Sequence, residues 1–217
     1  MKKLKVLIVG ATGATGRELV KLLLEEENFD SVTIFVRTVP EISHPKLIIH
    51  KIDFSRLHEY EHLIIGDVLF SALGTTLKDA GSKELQYIID FDYQYEFAKF
   101  AAKNKVSFYS LVSSAGANNK SLFFYPKIKG ELEEAIKKLS FKKIQIFQPS
   151  FLERQEDVIR SGEKIGIFFF SILNSIGLLK SLRPISVKYL AQKMISMIFD
   201  ENEEKIRVLK LKDILKK

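Results

Sequence analysis

Short, densely apolar runs alternate along the chain with longer amphipathic stretches, and the two kinds of segment differ in period. Val6-Leu7-Ile8-Val9 is uninterrupted, and Ser31–Arg37, Lys46–Asp53, Asp67–Thr76, Val106–Ser114, Lys142–Phe147 and Arg207–Leu211 are rich in β-branched, aromatic or other apolar residues. Such runs predict strands. Between them, Glu18–Leu24 fades into the acidic run Glu25-Glu26-Glu27. Lys83–Lys103 carries Leu85, Ile88, Ile89, Tyr93, Phe97 and Phe100 at helical spacing, and Glu131–Leu139 follows the fifth strand. After Ser186 come Val187, Leu190, Ala191, Met194, Ile195 and Ile198. These segments predict helices. Strand–helix alternation of this kind predicts an α/β fold, a doubly wound, mostly parallel sheet with helices on both faces. The 217 residues suit one domain, with about residues 150–185 as a small substrate-side or lid elaboration.

The first strand runs straight into Gly10-Ala11-Thr12-Gly13-Ala14-Thr15-Gly16, a tight turn opening a helix. A turn of this kind aims backbone N–H groups and the positive end of a helix dipole at one spot, as a dinucleotide pyrophosphate requires. Gly10 lets the strand turn, Gly13 lets the backbone approach the phosphates, and Gly16 lets the helix pack close to the sheet. The candidate cofactor-binding positions here are Gly10, Thr12, Gly13, Ala14, Thr15 and Gly16.

The ends of the next strands refine the ligand. An acid about 20 residues past the glycine turn binds the ribose 2′-hydroxyl of NAD, whereas an arginine accommodates the 2′-phosphate of NADP. Arg37 holds that position with no acid beside it, so NADP is expected. Asp53 and Phe54, after the third strand, are expected at the adenine edge. The fourth strand ends in the small residues of Ala72-Leu73-Gly74-Thr75-Thr76, which allow a ligand to lie across its carboxyl end.

Ser113, Ser114, Tyr125 and Lys129 form a second constellation. Tyr125 and Lys129, four apart, share one helix face, where an ammonium favours the tyrosinate. A serine hydroxyl at the end of the fifth strand can bond the same carbonyl oxygen, and the group can exchange the proton that accompanies hydride transfer. His58-Glu59-Tyr60-Glu61-His62 matches the H-E-x-x-H zinc pattern, but the segment is short, lies between strands and has no third ligand. It reads as a polar crossover helix, and no metal is expected.

Composition excludes several classes. With 46% hydrophobic and 28% charged residues the chain is ordinarily globular. Zero cysteines exclude disulfides, thiolate catalysis and cysteine-ligated metals, and suit a cytoplasmic protein. The net charge of +7 comes from scattered lysines interleaved with glutamates, without an arginine-rich block, so nucleic-acid binding is not expected. The start of the chain resembles a secretory signal, yet its apolar core Val6–Val9 falls short of the roughly 7 to 15 residues such a signal needs. Residues 165–179, an apolar run flanked by Lys164, Lys180 and Arg183, are shorter than the roughly 20 residues that span a bilayer. Three readings of that run stand open: a lid over an apolar substrate, a subunit or protein-partner contact, or a peripheral helix on an anionic membrane.

Taken with their order, these motifs resemble the short-chain dehydrogenase/reductase superfamily in its extended or atypical form, whose loop reads G-x-x-G-x-x-G as Gly10, Gly13 and Gly16 do. More narrowly, the chain is similar to the Tat-interacting-protein oxidoreductase branch. The stretches that carry the similarity are Gly10–Arg17, Ala72–Thr76, Leu111–Ala117, Tyr125–Glu131 and Gln148–Leu152 with Arg154-Gln155-Glu156. The resemblance implies a Rossmann fold binding NADPH. It puts Ser114 (or Ser113), Tyr125 and Lys129 in the catalytic positions, with Tyr125, Lys129, Ala72, Leu73, Gly74 and Pro149 also on the cofactor side. Two positions depart from the family pattern: Gln148 replaces the usual arginine before proline, and Pro126 puts Tyr125 at the beginning of its helix rather than within it. The expected function is reduction of a small carbonyl compound with NADPH. The alternatives are a non-catalytic NADPH-binding module that recruits a partner, and a membrane-surface or complex-assembly subunit.

Overall fold

In the computed structural model, residues 3–150, 152–153 and 184–216 are described. Their strands are β1 (Leu4–Val9), β2 (Phe29–Val36), β3 (Leu47–Lys51), β4 (Val68–Ser71), β5 (Phe108–Val112), β6 (Lys143–Gln148), β7 (Leu152–Glu153), β8 (Ile185–Ser186) and β9 (Ile206–Lys210). Seven of them form one sheet in the order β3-β2-β1-β4-β5-β6-β9. All six pairings are parallel. β7 and β8 pair separately, also in parallel. The strand order reverses between β1 and β4, and open α/β sheets take their ligands at the carboxyl ends of the strands at such a point.

The pleat divides the sheet's side chains between two cores. Val6, Ile8, Val32, Ile34, Val68 and Phe70 face one side, covered by helices α1 (Ala14–Glu25) and, late in the chain, Val187–Ser196. Leu7, Val9, Leu69, Tyr109, Leu111, Ile144 and Ile146 face the other, under the 3₁₀ segment Phe54–Leu63 and helices from the middle of the chain. Those middle helices are α2 (Leu77–Ala80), α3 (Lys83–Tyr87), α4 (Tyr93–Lys103) and α5 (Phe124–Lys137); α6 is Val187–Ser196 and α7 is Leu211–Ile214. Both faces of the central strands are therefore dry, which accounts for their uninterrupted apolar runs.

Four boundaries differ from the sequence expectation. Lys83–Lys103 is not one helix: a π turn at Ile88–Asp92 separates α3 from α4, and the Tyr93 N–H bonds the Ile88 carbonyl. The π turn lies where Gln86, Asp90 and Gln94 put polar groups on the buried side. α5 starts at Phe124, ahead of the Glu131–Leu139 stretch, with Tyr125 at its beginning as Pro126 implied and Pro126 in the first turn, where its missing N–H is not needed. β4 ends at Ser71, leaving Ala72–Thr76 as a loop. The His58–His62 stretch is 3₁₀ rather than α, with a kink at Arg56. At three residues per turn, positions i and i+4 no longer share a face. Among the described residues no cluster of His, Cys, Asp and Glu could hold a metal ion, and no helix is long and apolar enough to cross a membrane. The 165–179 run lies outside the described residues.

Candidate functional site

The glycine turn is shaped by clashes that side chains would cause. Gly10 has φ +79°, in the left-handed region, and a Cβ on it would overlap the backbone of Ala72 and Leu73. A Cβ on Gly16 would overlap the Gly10 carbonyl and Ala11, so Gly16 seats α1 on the turn itself rather than on the sheet. Gly13 is different. Its φ of −76° and ψ of 172° suit any residue, and a Cβ there would have its nearest atom, the Gly10 carbonyl oxygen, at 3.3 Å. At that distance the Gly10 carbonyl would have to give by a few tenths of an ångström, so the fold asks far less of position 13 than of 10 or 16.

Gly13 is also the N-cap of α1, with no side-chain cap and no acidic residue in the first turn. The Gly13 N–H bonds the Gly10 carbonyl at 3.0 Å, and Arg17 Nε donates to the Thr12 carbonyl at 2.8 Å, holding the turn closed. Thr12 and Gly13 are exposed, Ala14 is partly so, and Thr15 and Gly16 are buried. An open cradle at a twelve-residue helix N-terminus fits the pyrophosphate of a dinucleotide.

Neighbouring strand ends meet the same edge. Arg37 stands exposed just past β2. The Asp53 carboxylate accepts from the Ser55 N–H at 2.9 Å and from its hydroxyl at 2.7 Å, while the Phe54 ring is buried against Tyr93. That position therefore offers an adenine a backbone and a capped carboxylate, and the aromatic face belongs to the core. Ala72, Leu73 and the exposed Gly74 form the loop after β4, with the Ala72 N–H on the Val9 carbonyl at 3.0 Å. Pro149 is buried, and its carbonyl accepts from the Ala115 N–H at 2.9 Å, joining the chain after β5 to the chain after β6.

Ser114, Tyr125 and Lys129 come together at this edge. Tyr125 lies in the first turn of α5, half-buried, with Lys129 Nζ 5.7 Å from its ring centre and the Ser114 side chain within hydrogen-bonding reach; the Ser114 hydroxyl also donates to the Ala115 carbonyl at 3.3 Å. Burial pushes the Tyr125 hydroxyl above its ordinary pKa and the Asp90 charge adds to this; the Lys129 charge and the Ser114 bond pull the other way without winning. Lys129 itself is buried, and burial alone would lower it, yet the nearby Asp90 charge, together with Tyr125 and Glu133, holds its ammonium above the usual lysine value.

The sequence reading missed Asp90 and Glu133. Asp90 Oδ1 lies 2.6 Å from Lys129 Nζ, and Oδ2 accepts from the Thr75 N–H at 3.0 Å. Gln94 donates to the Asp90 carbonyl at 2.8 Å and accepts from the Ser71 hydroxyl at 2.7 Å. The visible signal was Gln86, Asp90 and Gln94 at intervals of four, a polar stripe on a helix otherwise read by its apolar positions.

Behind Ser114, the buried Glu133 carboxylate takes a hydrogen bond from Ser113 and two from the Gln148 amide, at 2.9 and 3.0 Å. Gln148 is thus held in an interior network rather than facing an anion. Ser113 is committed to Glu133, which leaves Ser114 as the hydroxyl beside Tyr125. Burial raises the Glu133 pKa, against the lowering effect of those bonds. A shallow recess lined by Lys83, Glu84, Tyr87, Ile88 and Phe124 borders the start of α5.

Residues 10–156 match the family described as NAD(P)H-binding. Protein HTATIP2 of Rattus norvegicus is 35% identical over 179 residues, covering 80% of this chain and 73% of the relative. The mitochondrial protein fmp52 of Emericella nidulans is 34% identical over 178 residues, 79% of this chain and 76% of that protein. The corresponding mitochondrial protein of Candida albicans is 37% identical over 156 residues, 69% and 68%. These fungal relatives are named mitochondrial, and the expected cytoplasmic location is corrected on that finding. The Bordetella bronchiseptica enzyme WbmH in complex with NAD+ superposes with a TM-score of 0.74 at 17% identity, over 96% of this chain and 75% of that one. The oxidoreductase ylbE of Lactococcus lactis gives 0.67 at 16%, over 94% and 88%. At such identities these two structures speak for the fold, a Rossmann sheet.

Proposed function

Because this chain belongs to the NAD(P)H-binding family, as an atypical short-chain dehydrogenase/reductase related to HTATIP2, we propose that it is an NADPH-dependent reductase of a small carbonyl compound. The observation that carries the reading is that Ser114, Tyr125 and Lys129 meet at the same sheet edge as an uncapped glycine turn. A nicotinamide bound there supplies the hydride. The chain's own residues do the rest. Backbone N–H groups and the dipole of α1 hold the pyrophosphate, and the Arg37 guanidinium meets a 2′-phosphate. Ser114 orients the carbonyl oxygen, and Tyr125 gives that oxygen its phenolic proton as the carbonyl carbon becomes tetrahedral. Lys129 then stabilises the tyrosinate.

Thermal denaturation with NADPH against NADH tests the cofactor half. A ligand at about 100 times its dissociation constant adds about 2.7 kcal/mol when it binds only the native state. A larger midpoint shift with NADPH is expected, and no shift with either cofactor refutes the reading. Steady NADPH consumption over a panel of aldehydes and ketones tests the catalytic half.

A further inference from the structure

The ammonium assigned to help Tyr125 is already engaged. Asp90 is 0% exposed and Lys129 3%, and their charged atoms lie 2.6 Å apart. The pair is fixed from three directions. The π turn carries Asp90, α5 carries Lys129, and the loop after β4 covers both: the Thr75 N–H bonds the second carboxylate oxygen, and a Cβ on Gly74 would come within 3.2 Å of Asp90 Oδ1 and 3.6 Å of Lys129 Nζ. Gln94, bonded to the Asp90 carbonyl and to Ser71, ties the π turn to β4 itself. Among the described residues, the other groups facing Tyr125 and Lys129 are Ser114, after β5, and Glu133, one turn further along α5 and bonded to Ser113 and Gln148.

This arrangement changes what Tyr125 experiences. A lone buried ammonium near a phenol favours the phenolate; an ammonium with a carboxylate closer to it than the phenol acts as a dipole, whose field falls off faster. We propose that Asp90 is a positioning residue that holds Lys129 beneath the β4 loop and sets how much of its positive charge reaches Tyr125. The inference rests on reading Tyr125 and Lys129 as the acid–base pair. It assigns to the loop at Gly74-Thr75, which lies on the cofactor side, a direct mechanical link to the proton donor.

The test is the ultraviolet absorbance of tyrosinate, titrated without cofactor or substrate, with the Tyr125 contribution isolated by subtracting a Tyr125→Phe protein in each background. Asp90→Asn is expected to bring Tyr125 ionisation down by about one pH unit or more, within the range a nearby opposite charge produces. Asp90→Glu should restore a value near that of the native protein. An unchanged midpoint in Asp90→Asn overturns the proposal. The neutral double variant Asp90→Asn/Lys129→Met, which buries no unpaired charge, gives a second reading against Lys129→Met alone. Because Asp90 acts through the ammonium, the double variant should titrate with Lys129→Met; a shift there as large as Asp90→Asn causes in the native background overturns the proposal. NADPH-dependent thermal shifts on the same proteins separate the two ideas. A moved titration in a protein that NADPH does not stabilise removes the reductase reading and keeps the Asp90 link. An unmoved titration in an NADPH-stabilised protein does the reverse.

Discussion

The two halves of the candidate site are built by opposite means. The cofactor side is made of backbone and of missing atoms: a left-handed Gly10, a Gly16 with no room for a Cβ, an uncapped helix start. The acid–base side is made of side chains held by distant partners, with Lys129 on Asp90, Asp90 on Thr75, and Glu133 on Ser113 and Gln148. A site of the first kind tolerates changes outside the turn and none within it. One of the second kind can be weakened from several elements at once.

The largest expected effect separates chemistry from binding. Tyr125→Phe should lower turnover of an identified carbonyl substrate by about 100- to 10,000-fold, the usual worth of a positioned general acid, with NADPH binding retained. Full turnover in that protein, measured by NADPH oxidation, removes Tyr125 from its role. Next comes a contrast inside the turn. Gly16→Val should cost several kcal/mol, roughly the upper range for single substitutions, because backbone must move. Gly13→Ala should cost clearly less stability than Gly16→Val, about 2 kcal/mol at most, since its backbone angles suit alanine and only the Gly10 carbonyl at 3.3 Å must give, yet weaken NADPH binding at least tenfold, about 1.4 kcal/mol. Equal losses of stability in the two would erase the distinction between a glycine the fold needs and one the ligand needs. Arg37→Ala should then reduce the preference for NADPH over NADH by about tenfold, which is about 1.4 kcal/mol, without changing the melting point, because Arg37 is exposed.

The smallest effect concerns the buried carboxylate. Glu133 has its pKa raised on folding, so between the ordinary glutamate value and the raised one the native state holds a proton that the unfolded chain has released. Stability contributed by this group is therefore greatest below the unfolded pKa and declines as pH rises through that window. Glu133→Gln, which can still accept from Gln148 and bond Ser113, should flatten the decline and leave neutral-pH stability equal or higher by about 1 kcal/mol. Melting midpoints from pH 4 to 8 measure it.

How far the sequence could be read follows from the same division. The parallel sheet was accessible because each strand is an apolar run and each crossover a local pattern. The turn was accessible because Gly10, Gly13 and Gly16 are adjacent in the chain. Tyr125 and Lys129 share one helix and were equally visible. Asp90 was not, because its meaning lies in partners at 75 and 129 on other elements, and because the π turn that presents it leaves no mark in a 3.6-residue period. Gln148 stood out only as a departure from the family pattern before Pro149; Glu133, its partner, lies on a different element. Phe54 was placed by its position at the end of the third strand, which fixes the backbone and says nothing of which way a ring points.

The pairing of β9 with β6 has a consequence for how the molecule comes to be folded. None of the seven strands meets its neighbour through a hairpin, and β6 must wait for a partner that follows it by more than half a hundred residues, from Ile144 to Ile206. Long-range parallel pairing of this kind is slow, because the entropy of closing the loop is lost before the contacts form. During synthesis β6 is therefore a bare sheet margin with Ile144, Ile146 and Phe147 along it, exposed to mispairing until β9 arrives.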